Sequence, residues 1–214
     1  VLRRAGEAEF EGEWRHDLPN GRGELRLASG DTLEGMWQDG HRVRRMRLLR
    51  GNGDEFEGEL RELGGLAGDG GDTRVDAEDR APREPPAFEP RGRGKMSYQN
   101  GDTYEGDWEF GRPHGFGSMR YASGDGYSGD WEAGQPTGEG AWSYASGDVY
   151  RGALVDGRRH GVGKCTYADG AEYTGGWQLD VWHSSAADEA SHLKTAAGDR
   201  YEGRFHRGEL RGRL

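Results

Sequence analysis

Apolar side chains recur along this chain with a period of 23 residues. An aromatic residue or Leu is followed by any residue and then by Gly. We call the first residue of this motif position zero of a repeat. The motif begins at Phe10, Leu33, Phe56, Tyr104, Tyr127, Tyr150, Tyr173 and Tyr201. A fixed period of this length predicts a tandem array of one structural unit.

The other positions of the repeat predict a one-sided β-hairpin. Position four is Trp, Leu or Phe, position nine is Pro in three repeats, and Gly recurs at positions eleven, thirteen and twenty. Positions fifteen and seventeen are mostly apolar or Tyr, whereas the intervening positions are polar. Because alternate side chains of a strand face one way, each unit predicts two short strands joined by a Pro/Gly turn. The Gly-Asp pair that begins at position twenty turns the chain into the next unit.

Glycine normally weakens a strand and is retained where another group approaches closely. We expect large rings of neighbouring strands to lie over the repeat glycines. The sheet then has a thin apolar layer without a second sheet, and each hairpin packs on its neighbours, as in other solenoid-like arrays. The predicted fold class is therefore all-β, an elongated single-layer antiparallel sheet of about eight hairpins.

Two irregularities divide the array. Gly92 lies 36 residues after Phe56, where the repeat predicts 11, so 25 residues are inserted in that hairpin. The repeat that starts at Tyr173 is five residues too long and loses its glycines between residues 183 and 197. We predict partly degenerate repeats over 1–68, an acidic proline-rich loop over 69–90, regular repeats over 91–180, and degenerate, truncated repeats over 181–214.

Composition alone favours disorder, because only 32% of the residues are hydrophobic, 32% are charged and 40 are Gly. The periodic placement of the 7 Trp and 9 Tyr argues against that interpretation. A net charge of −10 disfavours nucleic acid and anionic membrane lipid as partners. A single cysteine, Cys165, cannot form an internal disulfide, which favours a reducing compartment.

The regular block resembles the MORN repeat. The resemblance rests on Tyr104-Glu-Gly-Asp-Trp108, on Gly111-Arg-Pro-His-Gly115-Phe-Gly117, and on Tyr121-Ala-Ser-Gly-Asp125. It covers nearly the whole chain in about eight units and is weaker at residues 42–97 and 180–200. It implies a curved antiparallel sheet with a groove that receives peptides or helices. It also implies cytoskeletal, ciliary or membrane-contact scaffolding.

The aromatic side of the sheet is the strongest candidate site, since Tyr and Trp are common interface anchors. We expect a protein partner to bind there as a helix or extended segment. Homodimerisation and assembly with other repeat proteins remain open. The predicted contact residues are Tyr104, Trp108, Tyr121, Tyr127, Trp131, Trp142 and Tyr144. A basic run supplies Arg42, Arg44, Arg45 and Arg47, which favour either an acidic partner or a degenerate repeat with solvated side chains.

No catalytic constellation recurs along the chain. His114 and His160 lie at position ten, where we predict a turn role, and Cys165 lies at an apolar position. The Gly-x-Gly pairs precede no predicted helix, which argues against a nucleotide site. We therefore expect no enzyme activity and no cofactor. The resemblance to the MORN repeat implies a cytoplasmic scaffold of the cytoskeleton, with the cilium or flagellum as its setting. The alternative is a regulatory domain of a larger membrane-associated enzyme, such as a lipid kinase.

Overall fold

The predicted all-β fold is confirmed. The computed structural model describes residues 2–5, 8–63, 87–184 and 191–211, and side chains within 8–43, 45–63, 87–184 and 191–209. These residues form antiparallel strands and no helix. Within them there is accordingly no helix of the length and hydropathy needed to cross a membrane. The chain separates into two compact units, Val1–Arg112 and Pro113–Leu214.

The first unit is an antiparallel sheet in which each strand pairs with the strands next to it in sequence. Its strands are β1 (Leu2–Ala5), β2 (Ala8–Arg15), β3 (Leu18–Arg26), β4 (Thr32–Gln38), β5 (His41–Leu49), β6 (Glu55–Leu63), β7 (Ala87–Ser97) and β8 (Thr103–Glu109).

The second unit follows the same rule, except that β14 pairs with both β15 and β16. Its strands are β9 (Arg112–Arg120), β10 (Gly126–Glu132), β11 (Gln135–Ser143), β12 (Val149–Val155), β13 (Arg158–Thr166), β14 (Glu172–Gln178), β15 (Val181–Trp182), β16 (Ser191–Lys194), β17 (Arg200–His206) and β18 (Glu209–Arg211).

The hairpin turn does not lie at the Pro/Gly segment where we predicted it. The chain turns at positions six and seven instead, and both residues have positive φ, as at Ala133 (49°) and Gly134 (87°). Positive φ at both central residues is the geometry of the tight two-residue hairpin turn. Pro136, at position nine, already lies in β11, where Trp131 pairs with it across the ladder. The proline is thus a strand residue that covers a tryptophan.

Glycines form a row that crosses the strands of the sheet. In the second unit Gly129, Gly140, Gly152 and Gly163 pair with one another on four successive strands, β10 to β13. A Cβ atom on Gly140 would lie 2.5 Å from Cε2 of Tyr127, on the neighbouring strand. A Cβ on Gly129 would lie 2.5 Å from the carbonyl oxygen of Glu139. Real Cβ atoms do not approach so closely, so the rings and strands occupy the space that the glycines leave open.

The strands that flank the inserted residues, β6 and β7, form a hairpin ladder. Strand β6 pairs with β7 as far as Leu63 and Ala87, so the ladder extends beyond the ordinary repeat. Residues 87–90, which we assigned to the inserted loop, belong to β7. Pro90 pairs with Leu60 and therefore takes position nine, the position that Pro136 holds in its own repeat. The remainder of the predicted loop, residues 69–86, lies outside the described residues.

Aspartates at position twenty-one join successive repeats. The carboxylate of Asp125 accepts a hydrogen bond from the backbone N–H of Ala145, 2.7 Å away in the next repeat. Asp148 accepts in the same way from Ala168 at 2.8 Å, and Asp31 from Gly51 at 3.0 Å. These bonds satisfy loop N–H groups that have no ladder partner. The Ser-Gly-Asp segment is therefore a connection between repeats as well as a turn.

Candidate functional site

The rings at position zero form the interior of the apolar layer. They are 0–6% exposed at Phe10, Phe56, Tyr104, Tyr127, Tyr150 and Tyr173, as is Leu33 in the second repeat, whereas Tyr201 is half-buried. The tyrosines are also held by hydrogen bonds. The hydroxyl of Tyr127 donates to the carbonyl oxygen of Asp130 at 2.9 Å, and Tyr150 donates to Ala153 in the same way at 2.8 Å. The rings of Tyr127 and Tyr150 thus lie over the glycines of their own hairpins, and each is anchored at its far end.

Three of the tryptophans at position four join their hairpin to the preceding one. The indole N–H groups of Trp108, Trp131 and Trp177 each donate to a glycine carbonyl fourteen residues earlier, at 3.1 Å. The ring of Trp177 also packs edge-on against Tyr150 of the preceding repeat, with centroids 5.4 Å apart. A buried ring with a satisfied N–H stabilises the repeat interface.

This packing corrects part of the predicted site. Tyr104, Trp108, Tyr127 and Trp131 were predicted to contact a partner, but they are 0–4% exposed. Their faces are covered by glycines, prolines and other rings of the same sheet. They therefore offer a partner almost no surface and hold the hairpins together instead.

The other three predicted aromatic residues form a half-buried stack at the surface. Tyr121 stacks on Trp142 with centroids 5.5 Å apart and planes 11° apart. Trp142 stacks on Tyr144 at 5.8 Å and 14°. We call Tyr121, Trp142 and Tyr144 the aromatic wall. Each side chain is partly accessible, in contrast to the rings at positions zero and four.

Arg159 lies beside the wall on the same side of the sheet. It takes position nine, where sister repeats have proline, and its guanidinium lies 4.3 Å above the ring of Trp177. Its Nε donates to Oδ1 of Asp180 at 3.1 Å, so the cation is paired. Burial raises the pKa of the Tyr144 hydroxyl above its ordinary value. Sequence reasoning missed Arg159, although its replacement of a recurring proline was visible.

Two further aromatic residues extend this side toward β15. The indole N–H of Trp182 donates to the hydroxyl of Tyr167 at 3.1 Å. Burial raises the pKa of Tyr167 to about 12. Tyr167 holds position seventeen, as Tyr121 and Tyr144 do. The tyrosine series was therefore visible in the sequence, although Tyr167 was not among the predicted contacts.

The residues considered for chemistry, Cys165, His114 and His160, all lie in strands of the sheet. Cys165 is buried, and burial raises the pKa of its thiol, as suits a packing role. His114 and His160 lie in β9 and β13, so the predicted turn role is wrong for both. Within residues 8–63, 87–184 and 191–209 no three His, Cys, Asp or Glu side chains come together as a metal site.

The basic run does not form one patch. Arg42 lies on the ring side, 4.5 Å above the Phe88 ring and 3.5 Å from Glu62. Arg47 faces the opposite side, where it pairs with Glu34 at 3.1 Å and Glu55 at 2.7 Å. Arg45 is exposed, and the side chain of Arg44 lies outside the described residues. Strand alternation thus divides the run, and neighbouring glutamates neutralise Arg42 and Arg47.

The family comparison supports the repeat assignment. The family model described as "MORN repeat" matches residues 10–32, 89–103, 104–126, 127–149 and 150–172, which together make up half of the chain. A search of curated proteins found no match.

Two solved structures with some similarity are domains of SAS-4 (dCPAP) and CPAP. The TCP domain of Drosophila melanogaster SAS-4, in complex with a proline-rich motif of Ana2, is 10% identical with a TM-score of 0.46, covering 86% of this chain and 84% of that one. The TCP10 domain of Danio rerio CPAP is 11% identical with a TM-score of 0.33, covering 96% and 100%. At these TM-scores the similarities carry no functional assignment.

Proposed function

The chain belongs to the MORN-repeat family, and we propose that it is a non-catalytic scaffold that binds a protein segment on the ring side of the regular repeats of its second unit, residues 113–180. The segment binds as a helix or in extended form along the aromatic wall. Exposed apolar surface of this kind typically marks an interaction site.

The observation that carries the proposal is the presence of Trp142 at position fifteen. Sister repeats have Leu25, Leu48, Met96 or Met119 there, so the fold does not need a large ring at this position. Trp142 is nevertheless sandwiched between two half-exposed tyrosines. An aromatic residue that exceeds the packing requirement and remains accessible is typical of an interface hot spot.

We place this scaffold in the cytoskeleton, with the cilium or flagellum as the leading setting. Membership of the MORN-repeat family is the observation that supports that setting. The alternative is a regulatory domain of a membrane-associated enzyme such as a lipid kinase. The ion pairs of Arg47 and the net charge of −10 give that alternative little support, because lipid headgroups attract basic surfaces.

Proximity labelling in ciliated cells tests the proposal, with wild type compared with two variants. Trp142→Leu copies the Leu of sister repeats and removes the centre of the wall. Phe116→Leu removes a ring that is 59% exposed on the opposite side of β9 and serves as the matched control. We expect Trp142→Leu to lose specific labelled proteins that Phe116→Leu retains. Identical labelling from all three chains would contradict a binding role for the wall.

A further inference from the structure

The ring side of β9 to β14 is almost without charge. Alternation brings prolines, glycines, tyrosines, tryptophans, Met119, Leu154 and Cys165 to this side, and Arg159 is its one charged strand residue. Arg159 is already paired with Asp180 and covered on one face by Trp177. Charged side chains of a partner would therefore lose water here without gaining a counter-ion, which is costly. A complementary segment has no charge where it meets the wall.

The tyrosines at position seventeen set a spacing for the bound segment. Tyr121, Tyr144 and Tyr167 belong to successive hairpins and therefore recur every two strands, about 9.6 Å along the sheet. A polyproline II helix turns once in three residues and advances about 9.3 Å per turn. An α-helix presents the same face every seven residues, about 10.5 Å, and an extended strand does so about every 6.6 Å. The polyproline II repeat has the smallest mismatch over three tyrosines.

The chemistry of the wall suits the same conformation. Flat aromatic side chains form grooves that accept proline rings, and a polyproline II helix loses little conformational entropy on binding. Its carbonyl groups have no internal hydrogen bonds, unlike those of an α-helix. The Tyr144 hydroxyl of the wall is a donor for such a carbonyl.

We infer that the aromatic wall binds an uncharged, proline-rich segment in the polyproline II conformation, laid across the strands. This inference rests on the proposed scaffold function and specifies its partner. One proline of each three-residue turn would lie against each tyrosine, and the accessible part of Trp142 would contact the segment between the first two.

Calorimetric titration of the full chain with a synthetic peptide of about ten prolines tests the inference. An alanine-based helical peptide of equal length is the comparison ligand. Trp142→Leu and Tyr144→Leu test the wall, because Leu25 and Leu27 hold the same repeat positions in the first repeat. Phe116→Leu is the control on the other side of the sheet. We expect saturable binding of the proline peptide, weakened about tenfold or more by each wall variant and unchanged by Phe116→Leu.

Absence of proline-peptide binding, or binding that Trp142→Leu leaves intact, would overturn the inference. If the helical peptide binds and loses affinity in Trp142→Leu, the inference fails while the scaffold function stands. If neither peptide binds and labelling in cells does not change in Trp142→Leu, both fail.

Discussion

Tyr127 and Gly140 offer the most direct test of how the rings and glycines depend on one another. A Cβ atom on Gly140 would lie 2.5 Å from Cε2 and 2.7 Å from Cζ of Tyr127, whereas relaxed carbon contacts lie at about 3.5–4.0 Å. The ring cannot retreat freely, because its hydroxyl donates to Asp130. Gly140→Ala should therefore lower the free energy of unfolding by about 1–3 kcal/mol. Equilibrium urea denaturation with an unchanged m-value measures this loss.

The second repeat provides a natural form of the double variant. There Leu33 replaces the ring, and Met46 takes the position of the glycine and is buried. Tyr127→Leu combined with Gly140→Met copies that pair. The free energy of unfolding of the double variant should exceed the value expected from adding the losses of Tyr127→Leu and Gly140→Met alone, by about 1 kcal/mol or more.

Additive losses, within about 0.5 kcal/mol, would refute the idea that the ring occupies the glycine's space. The matched control is Gly51→Ala in a loop, where the nearest atom to the new Cβ, the carbonyl oxygen of Ser29, is an ordinary 3.6 Å away. That variant should keep or slightly raise stability, since alanine restricts the unfolded chain.

We expect four further outcomes. Trp131→Leu loses a buried ring and an N–H···O bond and should lower the free energy of unfolding by about 2–4 kcal/mol, whereas Trp142→Leu should cost less than half as much in the same urea titration. The hydrogen bonds from the backbone N–H of Ala145 and from Ser123 lower the pKa of Asp125, so the stability that Asp125 adds to the fold is complete above the ordinary value of 3.8 and disappears as pH falls through the lowered pKa. The difference in free energy of unfolding between wild type and Asp125→Ala should therefore shrink in acid. A difference that stays constant there would contradict the bond. Co-sedimentation with anionic vesicles at physiological salt should show little binding, and tight binding would favour the lipid alternative. Circular dichroism should show mainly β and turn signal, and a substantial helical signal would contradict the all-β fold.

Much of the fold could be predicted because the period places each side chain on a known side of its strand. Position zero and position four were correctly placed on the side of the glycines. Their burial could not be read from the same pattern, because the cover comes from neighbouring hairpins whose distance the sequence does not state. This is why Trp131, which is buried, and Trp142, which is accessible, had the same predicted role.

The turn was misplaced for a specific reason. Pro136 and Gly138 are strong turn signals in isolation, and they outweighed the two-residue signal at Ala133-Gly134. Elsewhere the same turn reads Asp39-Gly40 and Asp156-Gly157, a typical signature of a tight hairpin. Comparing this position across all repeats would have found the turn.

The bond from the position-four indoles of Trp108, Trp131 and Trp177 to a glycine carbonyl of the preceding repeat has a consequence for how such a chain evolves. Trp131 and Trp177 make the same bond, although they belong to different repeats of the second unit. When one whole 23-residue unit is gained or lost, every junction between successive repeats is therefore still of a kind that the chain already contains. A gain or loss of one residue inside a strand inverts its faces and breaks the junctions on both sides. Unequal recombination in multiples of the repeat should thus be far better tolerated than single-codon insertions, so repeat number can change while the unit length stays at 23.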